Sequence, residues 1–162
     1  MQLIKAKEEG GRGYTHIRRL RRDGNCFYRS FLFQMMEHFA LAFKHNTPTH
    51  YQSLMDIVKL SKQDLIKTGY DEIVIEDFYD SFYAAMDKLK ELPGAFEEQT
   101  EVGDYSEFVS KHLFRVLCNQ EEANYIIMYM RFLAASYLKT NAILFEDFLG
   151  VDINTFCQAE VE

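Results

Sequence analysis

Apolar residues recur at steps of three and four along most of the chain, which is the spacing of one buried face on an α-helix. Turn and capping signals divide this pattern into segments: Thr47 and Pro48 favour a helix start, and Pro93 and Gly94 favour a helix end. The pattern predicts helices over 26–44, 47–68, 76–91, 104–118, 125–138 and 141–149. It predicts a link at 71–75, a loop at 93–103 and a last turn or helix within 151–162.

The faces of these helices predict the core. One face of helix 26–44 should be buried, and its members are Phe27, Phe31, Met35, Phe39 and Ala42. Segment 125–138 is apolar on nearly all sides, so we expect a central helix with other helices packed around it. Helix 47–68 could break near Ser61, and helix 141–149 should turn Phe145 and Phe148 inward.

The composition is that of one globular domain. At 162 residues with 48% hydrophobic residues, the chain can build a core of its own, and it shows no internal repeat or linker. We expect a flexible lead-in over 1–13, a single domain over 14–162 and a short extended piece over 14–20. The longest apolar stretch is interrupted by Arg131 and is too short for a bilayer, which predicts no membrane span.

The charge and the cysteines restrict the partners and the compartment. A net charge of −7 disfavours nucleic acid and suits a basic peptide. Arginines crowd the segment 12–22, and this cluster fits either a solvated basic flank or a nucleic-acid patch. The three cysteines, Cys26, Cys118 and Cys157, are odd in number and lack metal-ligand spacing. They predict a reducing compartment, namely the cytoplasm and also the nucleus. They also predict that the chain has no zinc site and no disulfide framework.

One cysteine stands where chemistry is favoured. The turn signal Asp23, Gly24 and Asn25 runs directly into Cys26, the first residue of a predicted helix. Free N–H groups and the positive end of the helix dipole favour a thiolate at that position, and the thiolate is the nucleophile. Gly24 lets the backbone fold back, so that nearby N–H groups can point at a developing oxyanion. Spacing alone leaves two interpretations open, a nucleophile and a buried structural thiol.

The string from Asp23 to Phe31, Asp-Gly-Asn-Cys-Phe-Tyr-Arg-Ser-Phe, resembles the nucleophile motif of the ovarian-tumour cysteine proteases in the form found in otubains. The resemblance continues in order through 62–69, 75–78, 129–138, 145–148 and 156–162. It implies an α+β papain-like fold and a peptidase that removes ubiquitin from proteins. The expected partners are ubiquitin or polyubiquitin chains, without nucleic acid or membrane, and the mechanism requires no metal or organic cofactor.

The resemblance also implies roles for four residues. Cys26 would be the nucleophile that attacks the carbonyl after the last glycine of ubiquitin. The backbone amides of Asp23 and Cys26 would match the oxyanion-hole positions of the family, and Gly24 and Asn25 would shape the turn. Otubains carry their catalytic histidine on sheet strands near the C-terminus, and no histidine of this chain matches it.

We therefore expect a chain that is mostly α-helical because the C-terminal sheet strands are missing. Two explanations stay open for the missing base: a C-terminally incomplete catalytic domain, or a naturally short relative. The first predicts a ubiquitin-specific cysteine peptidase that is nearly inactive as this chain alone. The second predicts a catalytically inactive ubiquitin-binding module. A third hypothesis is an acidic helical interaction protein whose motif is coincidental.

Overall fold

The computed structural model describes residues 2–5, 16–99 and 103–162, and side chains within 18–99 and 103–162. Eight α-helices follow two short strands in these ranges: β1 (Gln2–Lys5), β2 (His16–Arg19), α1 (Cys26–Lys44), α2 (Tyr51–Lys67), α3 (Glu72–Asp87), α4 (Leu92–Glu97), α5 (Tyr105–Cys118), α6 (Gln120–Thr140), α7 (Ala142–Leu149) and α8 (Ile153–Phe156). A 3-10 turn at Lys88–Glu91 joins α3 to α4, and a π turn at Cys157–Val161 follows α8. The described part of the chain is thus mostly helical, as predicted.

The two strands pair antiparallel, with residue 4 opposite residue 17. The extended piece expected over 14–20 is confirmed at 16–19, and positions 14 and 15 lie outside the described residues. Gln2–Lys5 of the expected lead-in form β1. Pairing with β2 satisfies backbone groups that a free lead-in would leave to water, and this long-range contact has no local signal. The rest of the expected lead-in, 1 and 6–13, lies outside the described residues.

Helix α6 is central, as its apolar sequence predicts. It contacts α1, α2, α3, α5, α7 and α8, and Tyr129 at its middle is fully buried. Most of the core lies between α6 and the helices before it. A smaller cluster, Ala135, Ile153, Cys157 and Val161, packs the C-terminal segment onto the far end of α6. Within the described residues, no helix is both long and apolar enough to cross a membrane.

Helix α1 has the predicted bounds but buries a different face. Phe27 is 72% exposed and Phe31 48% exposed, whereas Leu32, Phe33 and Met36 are buried. Of the face predicted from spacing, Phe39 alone is fully in the core. The helix carries two apolar series at steps of three and four, and periodicity cannot tell which one faces α5 and α6. The exposed series leaves Phe27 and Phe31 on the surface next to Cys26.

Three predicted boundaries are also corrected. Helix α2 begins at Tyr51, because Thr47 and Pro48 form a hydrogen-bonded turn before it, and α2 continues unbroken through Ser61. Helix α3 begins at Glu72, because the Asp71 carboxylate accepts a hydrogen bond from the N–H of residue 73 and caps it. The expected link at 71–75 and part of the loop at 93–103 are therefore helical.

Proline and glycine have opposite effects at two helix ends. Pro93 lies in the first turn of α4, where its missing N–H costs nothing, so it opens a helix where an end was predicted. Gly150 ends α7 in a left-handed conformation, which agrees with the predicted helix end at 149. Helix α7 leaves Phe148 exposed, against prediction, and Phe145 is half-buried. Leu144 and Ile143 are exposed as well, so α7 contributes little to the core.

Candidate functional site

Cys26 is the first residue of α1, and its side chain is exposed. Its thiol donates a hydrogen bond to the carbonyl of Arg21, with Sγ 3.0 Å from the oxygen. The alternative of a buried structural thiol is therefore wrong for Cys26. It suits Cys157, which is buried against the Ala135 carbonyl and whose thiol pKa is raised by that burial. Cys118 is half-buried at the end of α5.

The turn before Cys26 is held by the side chain of Asp23. Its Oδ1 accepts the Asn25 N–H at 3.1 Å, which folds the chain back over Gly24. Gly24 adopts the left-handed conformation with φ of 77°, and a Cβ there would meet no atom within 4 Å. The requirement for glycine is thus conformational and not a matter of space. The turn delivers the chain into α1 with the thiol on the outside.

A buried arginine anchors the Asp23 side of the turn. Arg29 is 4% exposed, and its Nε and Nη2 lie 3.1 and 2.6 Å from Asp23 Oδ2. Its Nη1 donates to the Leu117 carbonyl at 3.0 Å, so the guanidinium links the turn to the end of α5. The hydrogen bonds from Arg29 lower the pKa of Asp23, which is therefore ionised at neutral pH.

A second arginine anchors the Asn25 side. Arg131 of α6 donates from Nε and Nη2 to Asn25 Oδ1 at 3.0 and 2.8 Å. Its Nη1 donates to the Val161 carbonyl at 2.8 Å, in the π turn at the C-terminal end. The guanidinium also lies over the Tyr28 ring, 5.2 Å from its centre. The arginine that interrupts the apolar run of α6 thus joins three separate parts of the chain.

The backbone amides of the turn differ in their availability. The Asn25 N–H is engaged by Asp23, and the Asp23 N–H itself helps to lower the pKa of its own carboxylate. The Cys26 N–H is the first of α1, so it has no acceptor within the helix. The structure therefore brings Asp23, Gly24, Asn25 and Cys26 into one turn, with the Cys26 N–H at the open end of a 19-residue helix.

Three of the four histidines with described side chains lie along or beyond α1, away from this turn. His38 lies twelve residues along α1 from Cys26, about 18 Å at the rise of an α-helix, and His45 and His50 follow the far end of that helix. His112, on α5, is half-buried, and burial together with Arg115 lowers its pKa. His38, His45 and His50 are therefore too far from Cys26 to act as its general base. Within 18–99 and 103–162, no cluster of acidic, histidine or cysteine side chains could hold a metal ion.

Sequence reasoning missed both arginines of the site. Arg29 and Arg131 each break an otherwise apolar helical run, and a charged residue in such a run rarely becomes buried unless it is paired. That signal marks both as paired arginines; Arg29 is buried and Arg131 is half-buried. Their partners could not be identified from sequence, because Asn25 and Arg131 are 106 positions apart.

The comparisons with known proteins identify the family. A sequence profile described as "Peptidase C65 Otubain" matches residues 2–162. The chain belongs to the otubain family of cysteine peptidases.

Individual relatives agree with this assignment. Ubiquitin thioesterase OTUB1 of Homo sapiens is 35% identical over 151 residues, which cover 92% of this chain and 48% of that protein. OVARIAN TUMOR DOMAIN-containing deubiquitinating enzyme 1 of Arabidopsis thaliana is 31% identical over 157 residues. The match covers 92% of this chain and 45% of that protein. The chain thus spans about half the length of these curated relatives.

A solved structure shares the fold. It is described as "The structure of a ceOTUB1 ubiquitin aldehyde UBC13~Ub complex", and it superimposes with a TM-score of 0.72 at 23% identity. The match covers 92% of this chain and 53% of that one. The arrangement of helices is therefore that of the matching part of an otubain.

Proposed function

We propose that the chain carries the nucleophile of a ubiquitin-specific cysteine peptidase, which cleaves the isopeptide bond after the C-terminal glycine of ubiquitin. The observation that carries this proposal is the exposed Cys26 thiol at the start of α1, directly after the turn at Asp23, Gly24 and Asn25, in a member of the otubain family. The names of the relatives, ubiquitin thioesterase and deubiquitinating enzyme, support the substrate class.

The chemistry follows from the position of the thiol. The Cys26 thiolate adds to the isopeptide carbonyl carbon, and the C=O electron pair moves to oxygen, where the Cys26 N–H stabilises the charge. The otubain resemblance adds the Asp23 N–H as a second donor, although that N–H here also interacts with its own carboxylate. The pair returns as the C–N bond breaks, and the lysine amine leaves with a proton from the general acid. Water then attacks the thioester, gives its proton to the base and releases the carboxylate of ubiquitin and the Cys26 thiol.

His38, His45 and His50 lie too far along or beyond α1 to be the general base of this scheme. The otubain resemblance implies a base on strands of a sheet C-terminal to the matching segment, in a papain-like α+β fold. We infer that the described residues supply the nucleophile, its turn and the helical layer beneath it. Loss of general-base assistance costs about 10²–10⁴ in rate.

A ubiquitin derivative with a cysteine-reactive electrophile at its C-terminus tests the nucleophile without needing the base for turnover. We expect one covalent adduct on the chain, mapped by mass spectrometry to Cys26. The adduct should disappear in Cys26→Ala and persist in the matched variant Cys118→Ala. An adduct that survives Cys26→Ala would contradict the proposal.

A second candidate is a catalytically inactive ubiquitin-binding module, which the distance of His38, His45 and His50 from Cys26 favours. Both candidates predict binding of unmodified ubiquitin, which titration calorimetry measures. They differ in the fate of a diubiquitin substrate. Hydrolysis that depends on Cys26 excludes the inactive module, and binding without hydrolysis or Cys26 labelling favours it.

A further inference from the structure

Two guanidinium groups hold the turn before Cys26 from opposite sides. Arg29 bonds the side chain on one side of Gly24, that of Asp23, and Arg131 bonds the side chain on the other, that of Asn25. Each guanidinium also donates a hydrogen bond to a backbone carbonyl of a separate element, that of Leu117 for Arg29 and that of Val161 for Arg131. The position of the turn is thereby fixed to α5, to α6 and to the C-terminal π turn.

The two arginines differ in what they hold. Arg29 lies in α1 itself and is buried, so it stabilises the helix that carries Cys26 as well as the turn. Arg131 comes from α6 and reaches the turn through one atom, Asn25 Oδ1, which accepts two of its N–H groups. The carbonyl of Asn25 and the N–H of Cys26 belong to one peptide plane, so contacts that hold Asn25 also restrain that plane.

We propose that Arg131 is a positioning residue: through Asn25 it fixes the direction of the Cys26 amide, and it ties that direction to the C-terminal turn at Val161. The inference rests on the proposed function, because the amide matters for catalysis only if an oxyanion forms beside Cys26. A displacement of the amide by about 1 Å can lower the rate roughly a hundredfold. Several hydrogen bonds that hold the turn in place can therefore matter for the rate.

The geometry suits arginine in particular. Arg131 presents three nitrogens to two oxygens that lie on different parts of the chain, while its face covers Tyr28. The planar fork of a guanidinium can make this set of contacts, and a lysine ammonium with one nitrogen cannot. Arg131→Lys should therefore keep the positive charge but lose the alignment of the Asn25 side chain.

A pair of reagents separates positioning from reactivity. Ubiquitin aldehyde forms a hemithioacetal with Cys26: the S–C bond forms, the carbonyl pair moves to oxygen, and this oxyanion needs the amide. Iodoacetamide alkylates the same thiol by displacement of iodide at an sp³ carbon, and no oxyanion forms. A change in alignment should affect the first reaction more than the second, whereas general unfolding should affect both.

We expect Arg131→Ala to weaken hemithioacetal formation at least tenfold and to change the Cys26 alkylation rate by less than about threefold. Arg131→Lys should recover only a small part of the loss, and Asn25→Ala should resemble Arg131→Ala. In the double variant the two losses should not add, because both remove the same contact. The matched control Arg115→Ala removes an exposed arginine of α5 and should leave both reactions unchanged.

Hydrogen exchange of the peptide spanning 20–30 gives a readout that does not depend on ubiquitin. Exchange there should rise at least fivefold in Arg131→Ala and stay unchanged in Arg115→Ala. Additive losses in the double variant, or unchanged exchange in Arg131→Ala, would overturn the positioning role. If the wild-type chain forms no ubiquitin adduct, the proposed function fails, and the exchange experiment still decides whether Arg131 holds the turn.

Discussion

At the scale of single residues, the Asp23 carboxylate has two partners with different requirements. Oδ1 accepts a neutral backbone N–H, that of Asn25, and an amide oxygen could replace it. Oδ2 faces the guanidinium of Arg29, which is almost fully buried and needs a negative charge. The charge is therefore the costly feature to lose, because a buried cation without its partner is left uncompensated.

Asp23→Asn tests this division, because the amide keeps the shape and the acceptor for Asn25 but removes the charge. We expect the free energy of unfolding at pH 7 to fall by about 1–3 kcal/mol, measured by urea unfolding. A matched control is Glu107→Gln, which breaks an exposed pair with Lys111 on α5. That change should cost less than about 0.5 kcal/mol.

The same pair predicts a pH dependence. Arg29 lowers the pKa of Asp23 below its ordinary value of 3.8, so the unfolded state binds a proton first as the pH falls. The stabilisation by this charge is complete above about pH 4 and is lost as the pH falls through the folded pKa. The difference in free energy of unfolding between wild type and Asp23→Asn should therefore become smaller below pH 4. A constant difference from pH 7 to pH 3 would count against the pairing.

At the scale of elements, α2 and α6 are joined by a buried hydroxyl pair. The Tyr129 hydroxyl lies 2.6 Å from Ser61 Oγ, which itself donates to the Val58 carbonyl at 2.6 Å. Burial raises the pKa of Tyr129 to about 12, so the phenol is neutral and can donate to Ser61. The Tyr129 hydroxyl therefore donates to Ser61 Oγ, and the Ser61 hydroxyl donates to the Val58 carbonyl in the backbone of α2.

This direction predicts unequal costs for the two halves of the pair. Ser61→Ala leaves the buried Tyr129 hydroxyl without its acceptor and should cost about 1–3 kcal/mol in thermal or urea unfolding. Tyr129→Phe removes the donor and leaves Ser61 bonded to Val58, so it should cost about 0.5–1.5 kcal/mol. The double variant should be less destabilised than the sum. Equal costs that add would show that the two hydroxyls do not interact.

Local signals predicted the helices well and their packing faces less well. The spacing in α1 fixed its length, yet the sequence holds two apolar series, and only contacts with α5 and α6 select the one that includes Leu32 and Met36. At Pro93 the residue type was compatible with both a helix end and a helix start. Such choices depend on tertiary contacts that have no local signal.

In the candidate site, too, the local turn could be predicted from sequence and the contact from a distant helix could not. The turn from Asp23 to Cys26 could be predicted because its residues are adjacent in sequence. Asp23 bonds the N–H of Asn25, and Gly24 adopts the left-handed backbone conformation that the turn requires. Arg131 could not be placed, because its role depends on α6 passing beside the start of α1. Positioning residues that come from a distant element are the part of a site that spacing does not reveal.

At the scale of the whole molecule, stability should be unevenly distributed. The main core joins α1, α2, α3, α5 and α6, while 142–162 packs through the smaller cluster at the end of α6. Helix α7 has no fully buried side chain. A region with few buried apolar contacts opens at lower cost than the global unfolding free energy. The C-terminal segment also carries the Val161 carbonyl that Arg131 holds.

Native-state hydrogen exchange tests this distribution. We expect amides of α7 to exchange much faster than those of α6, because their opening does not require the main core to unfold. Ile153→Ala, in the smaller cluster, should accelerate exchange within 142–162 and leave α1 nearly unchanged. Leu113→Ala, in the main core, should destabilise the whole domain by about 2–5 kcal/mol and accelerate exchange in every helix. Uniform acceleration by Ile153→Ala would show instead that the two clusters unfold as one unit.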